Sequence, residues 1–350
     1  MKYYIIAGEA SGDLHASNLM KELFCLDPNA DFRCWGGENM QQQGGKIVKH
    51  CRELAFMGFS EVIMNIRTIF HNLEFCKKDI LQYNPDAVIL VDYPGFNMRI
   101  AGFAKQNGLK VFYYISPQVW AWKQSRVHKI KKTVNRMFVI LPFEKEFYKK
   151  FDYEVDFVGH PLLDAMSEKN QNICFDDFVR ENKLENKPVI AILPGSRKQE
   201  IKRMLPIMAN MKNYFPEYQF VIGAAPSVEK EFYEQIIGNN IKIIFGKTYM
   251  LLQHSYAALV TSGTATLETA LFGIPQVVCY KGETISYHIA KRLVKVNYIS
   301  LVNLIMGKEF VKELIQNNFN SENLRRELQK IIYDNNYRSE IKNEMTNLKE

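Results

Sequence analysis

Residues 86–97 read DAVILVDYPGFN, a run of apolar β-formers that ends on Asp92 and turns through Tyr93, Pro94 and Gly95. A carboxylate at the carboxyl end of a buried strand, beside aromatics, is placed for a raised pKa and general-base work. It also suits a turn or a helix cap, although Asn97 already fits the cap. A second acidic loop, AGEASGDLHAS at 7–17, follows the apolar run YYII. Gly8 and Gly12 permit a tight turn and close backbone approach. Glu9, Ser11 and Asp13 match neutral hydroxyls better than phosphate. Glu9 is therefore a second candidate for orienting or deprotonating a hydroxyl, and Asp13 is expected to cap the first helix.

Two later loops read as anion sites. ILPGSRKQEIKRM sets Gly195, Ser196 and Arg197 directly after a strand. Gly195 lets backbone approach a ligand, and Arg197 presents a planar fork matched to phosphate oxygens. LVTSGTATLETALFG runs strand, Ser262-Gly263-Thr264, then a helix from about Ala265. Its unpaired N–H groups and positive dipole end favour an anion. Ser262, Thr264 and Thr266 add hydroxyls, and Glu268 can accept from a ribose diol. The same residues would also serve as simple helix caps. Neither loop is a Walker or a G-x-G-x-x-G motif. A nucleoside diphosphate held by helix N-termini and an Arg fits better than nucleotide hydrolysis or hydride transfer.

A fifth loop, SPQVWAW, gathers Ser116, Gln118, Trp120 and Trp122 before the basic run Arg126, His128, Lys129, Lys131 and Lys132. Indoles stack on sugar faces or cover acyl chains. The cations either meet a phosphate or form a solvated face.

Strands are expected at 3–7, 86–92, 110–116, 136–141, 189–193, 218–223, 241–245, 257–261 and 275–280. Most are continuous apolar runs, the mark of parallel sheets covered on both faces. Strand–helix alternation gives an α/β class. The series restarts after a polar stretch between Val158 and Lys187, so 350 residues divide into two Rossmann-like doubly wound domains facing a cleft, at about 1–160 and 164–330. The helical tail, 310–350, is open to packing on either domain, including back on the first. Ligands bind outside the carboxyl ends of such strands, where all five loops fall.

The stretch 58–78 spaces Val62, Ile63, Ile66, Ile69 and Phe70 at helical intervals near Arg67, His71, Lys77 and Lys78. Core packing is one reading. An interfacial helix against anionic lipid is the other. Composition is that of a soluble globular protein, with 47% apolar and 24% charged residues. A net charge of +7 is too diffuse for a nucleic-acid binder. Six scattered cysteines lack metal-ligand spacing, and the N-terminal apolar run is too short for a signal peptide. A reduced cytoplasmic setting is expected.

Taken in order, AGEASGD, MGFSEV, VDYPGFN, YYISPQVWAW, LPFEKEFY, VGHPLLD, LPGSR, SGTATLE and AKRLVKVNYISLVNLI resemble the lipid-A-disaccharide synthases, bacterial glycosyltransferases of lipopolysaccharide synthesis. The resemblance runs from Ala7 to about Gln316. It implies a GT-B fold and transfer of 2,3-diacylglucosamine from its UDP conjugate to the 6-hydroxyl of 2,3-diacylglucosamine 1-phosphate. The anomeric centre inverts, giving a β-1,6 disaccharide phosphate and UDP. Relatives sometimes carry a second acid where this chain has Gly95, which leaves Asp92 and Glu9 as catalytic candidates. The donor would meet Gly195, Ser196, Arg197, Ser262, Gly263, Thr264, Ala265, Thr266, Glu268 and Asn303. The acceptor would meet Ser11, Gly12, Asn97, Ser116, Gln118 and Trp120. No Asp-x-Asp motif is present, so neither metal nor cofactor is called for. Expected partners are the two lipid substrates and an anionic inner-membrane surface holding the protein peripherally. A homodimer is left open. The alternative is another GT-B sugar-nucleotide enzyme, a UDP-N-acetylglucosamine epimerase or peptidoglycan-type transferase. A non-catalytic binding protein and a dinucleotide oxidoreductase fit the motifs less well.

Overall fold

A computed structural model describes residues 1–54, 66–168, 173–283 and 296–349. They form two compact units, Met1–Pro161 and Leu162–Glu350. The first runs β1 (Lys2–Ala7), α1 (Ala10–Leu26), β2 (Asp31–Gly36), α2 (Glu38–Gln42), β3 (Lys46–His50), α3 (Ile66–Tyr83), β4 (Ala87–Val91), α4 (Pro94–Gln106), β5 (Lys110–Tyr114), α5 (Val127–Thr133), β6 (Arg136–Val139), α6 (Pro142–Lys149) and β7 (Asp156–Phe157). All seven strands are parallel, in the order β3-β2-β1-β4-β5-β6-β7.

The second unit opens with α7 (Leu162–Glu168) and α8 (Phe175–Asn182). It continues β8 (Val189–Leu193), α9 (Lys198–Asn210), β9 (Gln219–Ala224), α10 (Lys230–Ile237), β10 (Lys242–Phe245), α11 (Thr248–Gln253), β11 (Ser255–Thr261), α12 (Thr264–Leu271), β12 (Gln276–Tyr280), α13 (Leu301–Met306), β13 (Lys312–Ile315), α14 (Ser321–Tyr333) and α15 (Asn335–Lys349). Its parallel sheet is ordered β10-β9-β8-β11-β12-β13. Both sheets are doubly wound, as the apolar strand runs imply.

Alternation along each strand assigns the faces. In β1, Tyr3, Ile5 and Ala7 pack with Ala16 and Met20 of α1, while Tyr4 turns to α3 on the other face. In β8, Ile190 and Ile192 join α9 and α12, while Val189, Ala191 and Leu193 join Phe178, Leu251 and Leu252. The tail lies in this second core through Leu324, Leu328, Ile331, Ile332, Ile341 and Met345.

Four strands lie outside those expected from sequence: β2, β3, β7 and β13. Three are sheet edges. An edge strand has one open side and carries charge against further pairing, so KIVKH and KELI lack the continuous apolar signature.

Helix α3 is fastened by a polar cluster. The Asp79 carboxylate, only 6% exposed, accepts from Tyr4 Oη at 2.7 Å and from Arg33 Nε and Nη2 at 2.8 and 2.5 Å. Trp35 Nε1 in turn donates to Tyr4 Oη at 2.7 Å. A buried carboxylate is tolerated because its lone pairs are filled; removing it strands the hydroxyl and the guanidinium. Asp79→Ala is expected to lower stability by about 2–3 kcal/mol, measured as the urea midpoint. Asp79→Asn, which keeps an acceptor for Tyr4, should lose less.

Candidate active site

Each sheet reverses its strand order at one point, between β1 and β4 and between β8 and β11. The crevice outside the strand ends at such a point is where doubly wound folds bind ligands. In the first unit the last paired residues are Ala7 and Val91, so the loops leaving them start with Gly8-Glu9 and Asp92-Tyr93. In the second, Val260 pairs with Leu193, so Gly195-Ser196-Arg197 and Ser262-Gly263 emerge side by side. The four loops thus divide two and two, each pair at a switch point.

Asp92 and Tyr93 both adopt the left-handed conformation, with φ of 44° and 48°. Such backbone persists where its surroundings over-determine it. Here Asn97, fully buried, donates its side-chain amide to the carbonyls of Asp92 (2.8 Å), Val91 (3.2 Å) and Ile6 (3.4 Å). Tyr113 Oη adds a 2.6 Å bond to the Asp92 carbonyl. Asn97 therefore faces inward and positions Asp92, where it was expected to line the acceptor surface. Burial, reinforced by Glu9, pushes the Asp92 carboxyl up to about 6 against the opposing Tyr93 N–H.

Gly8 lies beneath the Tyr93 ring: a Cβ there would stand 2.3 Å from Tyr93 Cγ. Only glycine lets the two loops close this tightly. Gly12 is likewise buried, against Ala7. Glu9 sits at the N-cap of α1, half-buried, and Ser11 is exposed on the first turn. Asp13 departs from its expected role. Its buried carboxylate accepts from the backbone of Gly37 (2.6 Å), Asn39 (3.1 Å) and Met40 (3.2 Å), so it caps α2 and not its own helix.

The tryptophan loop leaves β5 through Ile115, whose φ of 63° is rare for a β-branched residue. Ser116 is buried and bonds Tyr148 Oη at 2.6 Å. Trp120 is 8% exposed and meets Phe143 edge-on, whereas Gln118 is exposed. Beneath them lies Glu144, 1% exposed, accepting from the Leu141 and Ile140 N–H groups at 3.0 and 3.3 Å. Burial pushes it up to about 7, against the opposing N–H groups of Leu141 and Ile140. Burial and the neighbouring His15 push His160 down to about 4. Sequence reasoning passed over Glu144, Tyr148 and His160, although LPFEKEFY and VGHPLLD had been singled out.

In the second unit Gly195 has φ of 107°, and Arg197 is exposed beside Glu200, with Nη1 to Oε1 3.2 Å. Ser196, Gly263 and Thr264 are exposed, and Ala265 is half-buried. Two of the expected hydroxyl donors turn inward: Ser262 Oγ donates to the Ile299 carbonyl (2.8 Å), and Thr266 Oγ1 to the Gly263 carbonyl (2.8 Å). Glu268 is half-buried and accepts from Tyr249 Oη at 3.2 Å. Asn303 is fully buried. Its amide donates to the Val311 carbonyl (2.8 Å) and Glu313 (2.9 Å), and its oxygen accepts from Phe310 and Val311. Glu313, unforeseen, also receives Ser300 Oγ at 2.6 Å and the Ile299 N–H at 2.9 Å. This network holds the Ile299–Ser300 segment against Ser262.

Val62 and Ile63 lie outside the described residues. Ile66 and Phe70 are 49% and 58% exposed, and Ile69 is half-buried. No helix among the described residues is long and apolar enough to cross a membrane, and none of their His, Cys, Asp and Glu gather in threes that could hold a metal.

The raised Asp92 pKa has a signed consequence. Between about pH 4 and pH 6 the folded chain binds more protons at this site than the unfolded one, so its contribution to stability is full below pH 4 and is lost as pH rises through 6. Asp92→Asn, which tolerates the left-handed turn, should be more stable than wild type at pH 8 by about 1–3 kcal/mol. Urea titrations at pH 8 and pH 4 should show that gain vanish at the lower pH.

A structure titled UDP-GlcNAc 2-epimerase from Neisseria meningitidis bound to UDP-GlcNAc superposes with a TM-score of 0.69 at 13% identity, over 99% of this chain and 98% of that one. The calicheamicin glycosyltransferase CalG4 superposes at 0.59 and 12%, over 99% and 93%. These share the fold, a GT-B-type pair of doubly wound domains. Sequence relatives are closer. The lipid-A-disaccharide synthase of Syntrophus aciditrophicus is 39% identical over 99% of this chain and 92% of its own. Those of Geobacter metallireducens and Coxiella burnetii are 38% and 34% identical, over 94% and 96% of this chain and 87% and 90% of theirs. The family profile described as Lipid-A-disaccharide synthetase matches residues 3–350, and on that match the chain belongs to the lipid-A-disaccharide synthetase family.

Proposed function

We propose that the protein transfers 2,3-diacylglucosamine from UDP-2,3-diacylglucosamine to the 6-hydroxyl of 2,3-diacylglucosamine 1-phosphate, with inversion, yielding the β-1,6 disaccharide 1-phosphate and UDP. The observation that carries the chemistry is Asp92: a carboxyl at the switch point of the first sheet, held in a left-handed turn and pushed up to about 6. At neutral pH it is ionised yet more basic than a solvated aspartate, as a general base requires. It takes the proton from the acceptor hydroxyl as the new glycosidic bond forms. Glu9, on the adjoining loop, orients that hydroxyl and keeps Asp92 basic.

The second unit serves the donor. Arg197 and the unpaired N–H groups of the first turn of α12 meet the diphosphate and take up its charge as it leaves. Glu268, aligned by Tyr249, accepts from the ribose. Ser262, Thr266 and Asn303 act through the backbone they tie down, which turns the loop's N–H groups outward. The UDP-GlcNAc held by the Neisseria epimerase supports a UDP-sugar in this fold. The acyl chains of both substrates suit a peripheral attachment to the cytoplasmic face of the inner membrane, with Ile66, Ile69 and Phe70 turned to lipid.

Mass spectrometry of the product from the two diacylated sugars tests the reaction. Efficient turnover of UDP-N-acetylglucosamine lacking acyl chains would replace it with the epimerase or peptidoglycan-type reading. For the base, Asp92→Asn should lower kcat about 10²–10⁴-fold while UDP binding is retained. Wild-type kcat/KM should rise through about pH 6, and that limb should vanish in the variant. Near-normal turnover by Asp92→Asn would reject the assignment. Arg197→Ala should cost about 2.7–4 kcal/mol of transition-state stabilisation.

A further inference from the structure

Helix α3 distributes its residues unusually. Asn72 and Asp79 are buried, whereas Ile66, Phe70, Phe75 and Leu81 are 42–58% exposed. Phe75 packs beside Trp35, whereas Ile66 and Phe70, one turn apart, present neighbouring apolar surface. Beside it, α3, α4 and α5 enclose a groove of about 550 Å³. Phe70 and Phe103 supply its apolar wall, and Arg99, Lys105, Lys129 and Lys132 its rim. The one carboxylate present, Glu74, is bonded to Lys77 at 2.7 Å, so that pair is neutral. Among the described residues none of the other four cations has an ion-pair partner; Arg99 donates to the Gly95 carbonyl.

We infer that this groove is a seat for the phosphate headgroup of an anionic phospholipid of the bilayer, separate from the acceptor and donor loops. Four unneutralised cations around an apolar wall complement a phosphodiester whose acyl chains run onward to Phe70 and Ile66. The volume lies in the usual range for a bound small molecule. The groove is built by the helices on one face of the sheet, whereas Asp92 stands at the strand ends. Headgroup capture would hold the enzyme on the anionic leaflet through both substrate exchanges. The inference rests on the membrane attachment proposed above and gives it a headgroup preference.

The test is sedimentation of the full chain with phosphatidylcholine vesicles, with or without 30% phosphatidylglycerol, alongside product formation in detergent micelles. Wild type should favour the anionic vesicles, and the preference should fade with added salt. Each cation near such a surface is worth about a fivefold change in partitioning, so Arg99→Gln/Lys105→Gln should bind anionic vesicles about 25-fold more weakly. Its micellar turnover should be unchanged. Unchanged anionic binding by this folded variant would overturn the inference. So would equal wild-type binding to both vesicles, or displacement from them by millimolar glucose 1-phosphate. Ile66→Ser/Phe70→Ser should lose both vesicle types; if only the anionic binding fell, the apolar attachment itself would be wrong. Micellar turnover reports on the reaction independently of either result.

Discussion

The side chain of Asn97 is the fixed point of the first unit. Two consecutive left-handed residues at the end of a central strand have no support of their own. Asn97 supplies it by bridging the ends of β1 and β4, reaching the carbonyls of Ile6, Val91 and Asp92 from the first turn of α4. Tyr113 Oη shares the Asp92 carbonyl with it, so the two side chains together hold the turn in place. The Asp92 carboxyl is then left in a dry, partly acidic environment that the chain cannot relax away from. Gly8 completes the arrangement by yielding its side-chain volume to Tyr93.

The second unit solves a different problem by a different route. In the donor role proposed for the loop before α12, an anion would be best met by N–H groups with no other duty, with the loop's own hydroxyls tying down the backbone. Ser262 and Thr266 spend their protons on internal carbonyls. Glu313 collects Ser300, Asn303 and the Ile299 N–H into one buried cluster. The exposed residues that remain are Gly263 and Thr264, with Ser196 and Arg197 on the neighbouring loop.

This division explains what could be read from sequence. VIAIL, AVILV and YAALV are continuous apolar runs because strands at the centre of a doubly wound sheet have no wet face, and the switch-point loops follow them directly. Three of the four edge strands, β3, β7 and β13, carry no such mark. Residue type located the loops, but side-chain direction depends on partners distant in the chain. Asp13 meets Gly37 and Asn303 meets Glu313, and neither contact has a local signature. Glu144 reads locally as a helix-capping acid, which it is; its burial beneath the tryptophan loop arises only when β5 and β6 pair.

The same dependence on distant partners explains α3. A helix with Ile66 and Phe70 turned outward gains less from packing than an ordinary amphipathic one, and needs another source of attachment. The Asp79 cluster provides it, joining the helix to β1 and β2 through Tyr4, Arg33 and Trp35. A directional polar anchor on the sheet side leaves the outer side free to be apolar without inviting the helix to roll over and bury it. On the membrane attachment proposed above, the exposed apolar side chains would have to be displayed by an element that stays put. On that proposal the buried Asp79 and the exposed Ile66 and Phe70 serve one requirement, and the basic rim on α4 and α5 adds electrostatic attraction without further apolar exposure.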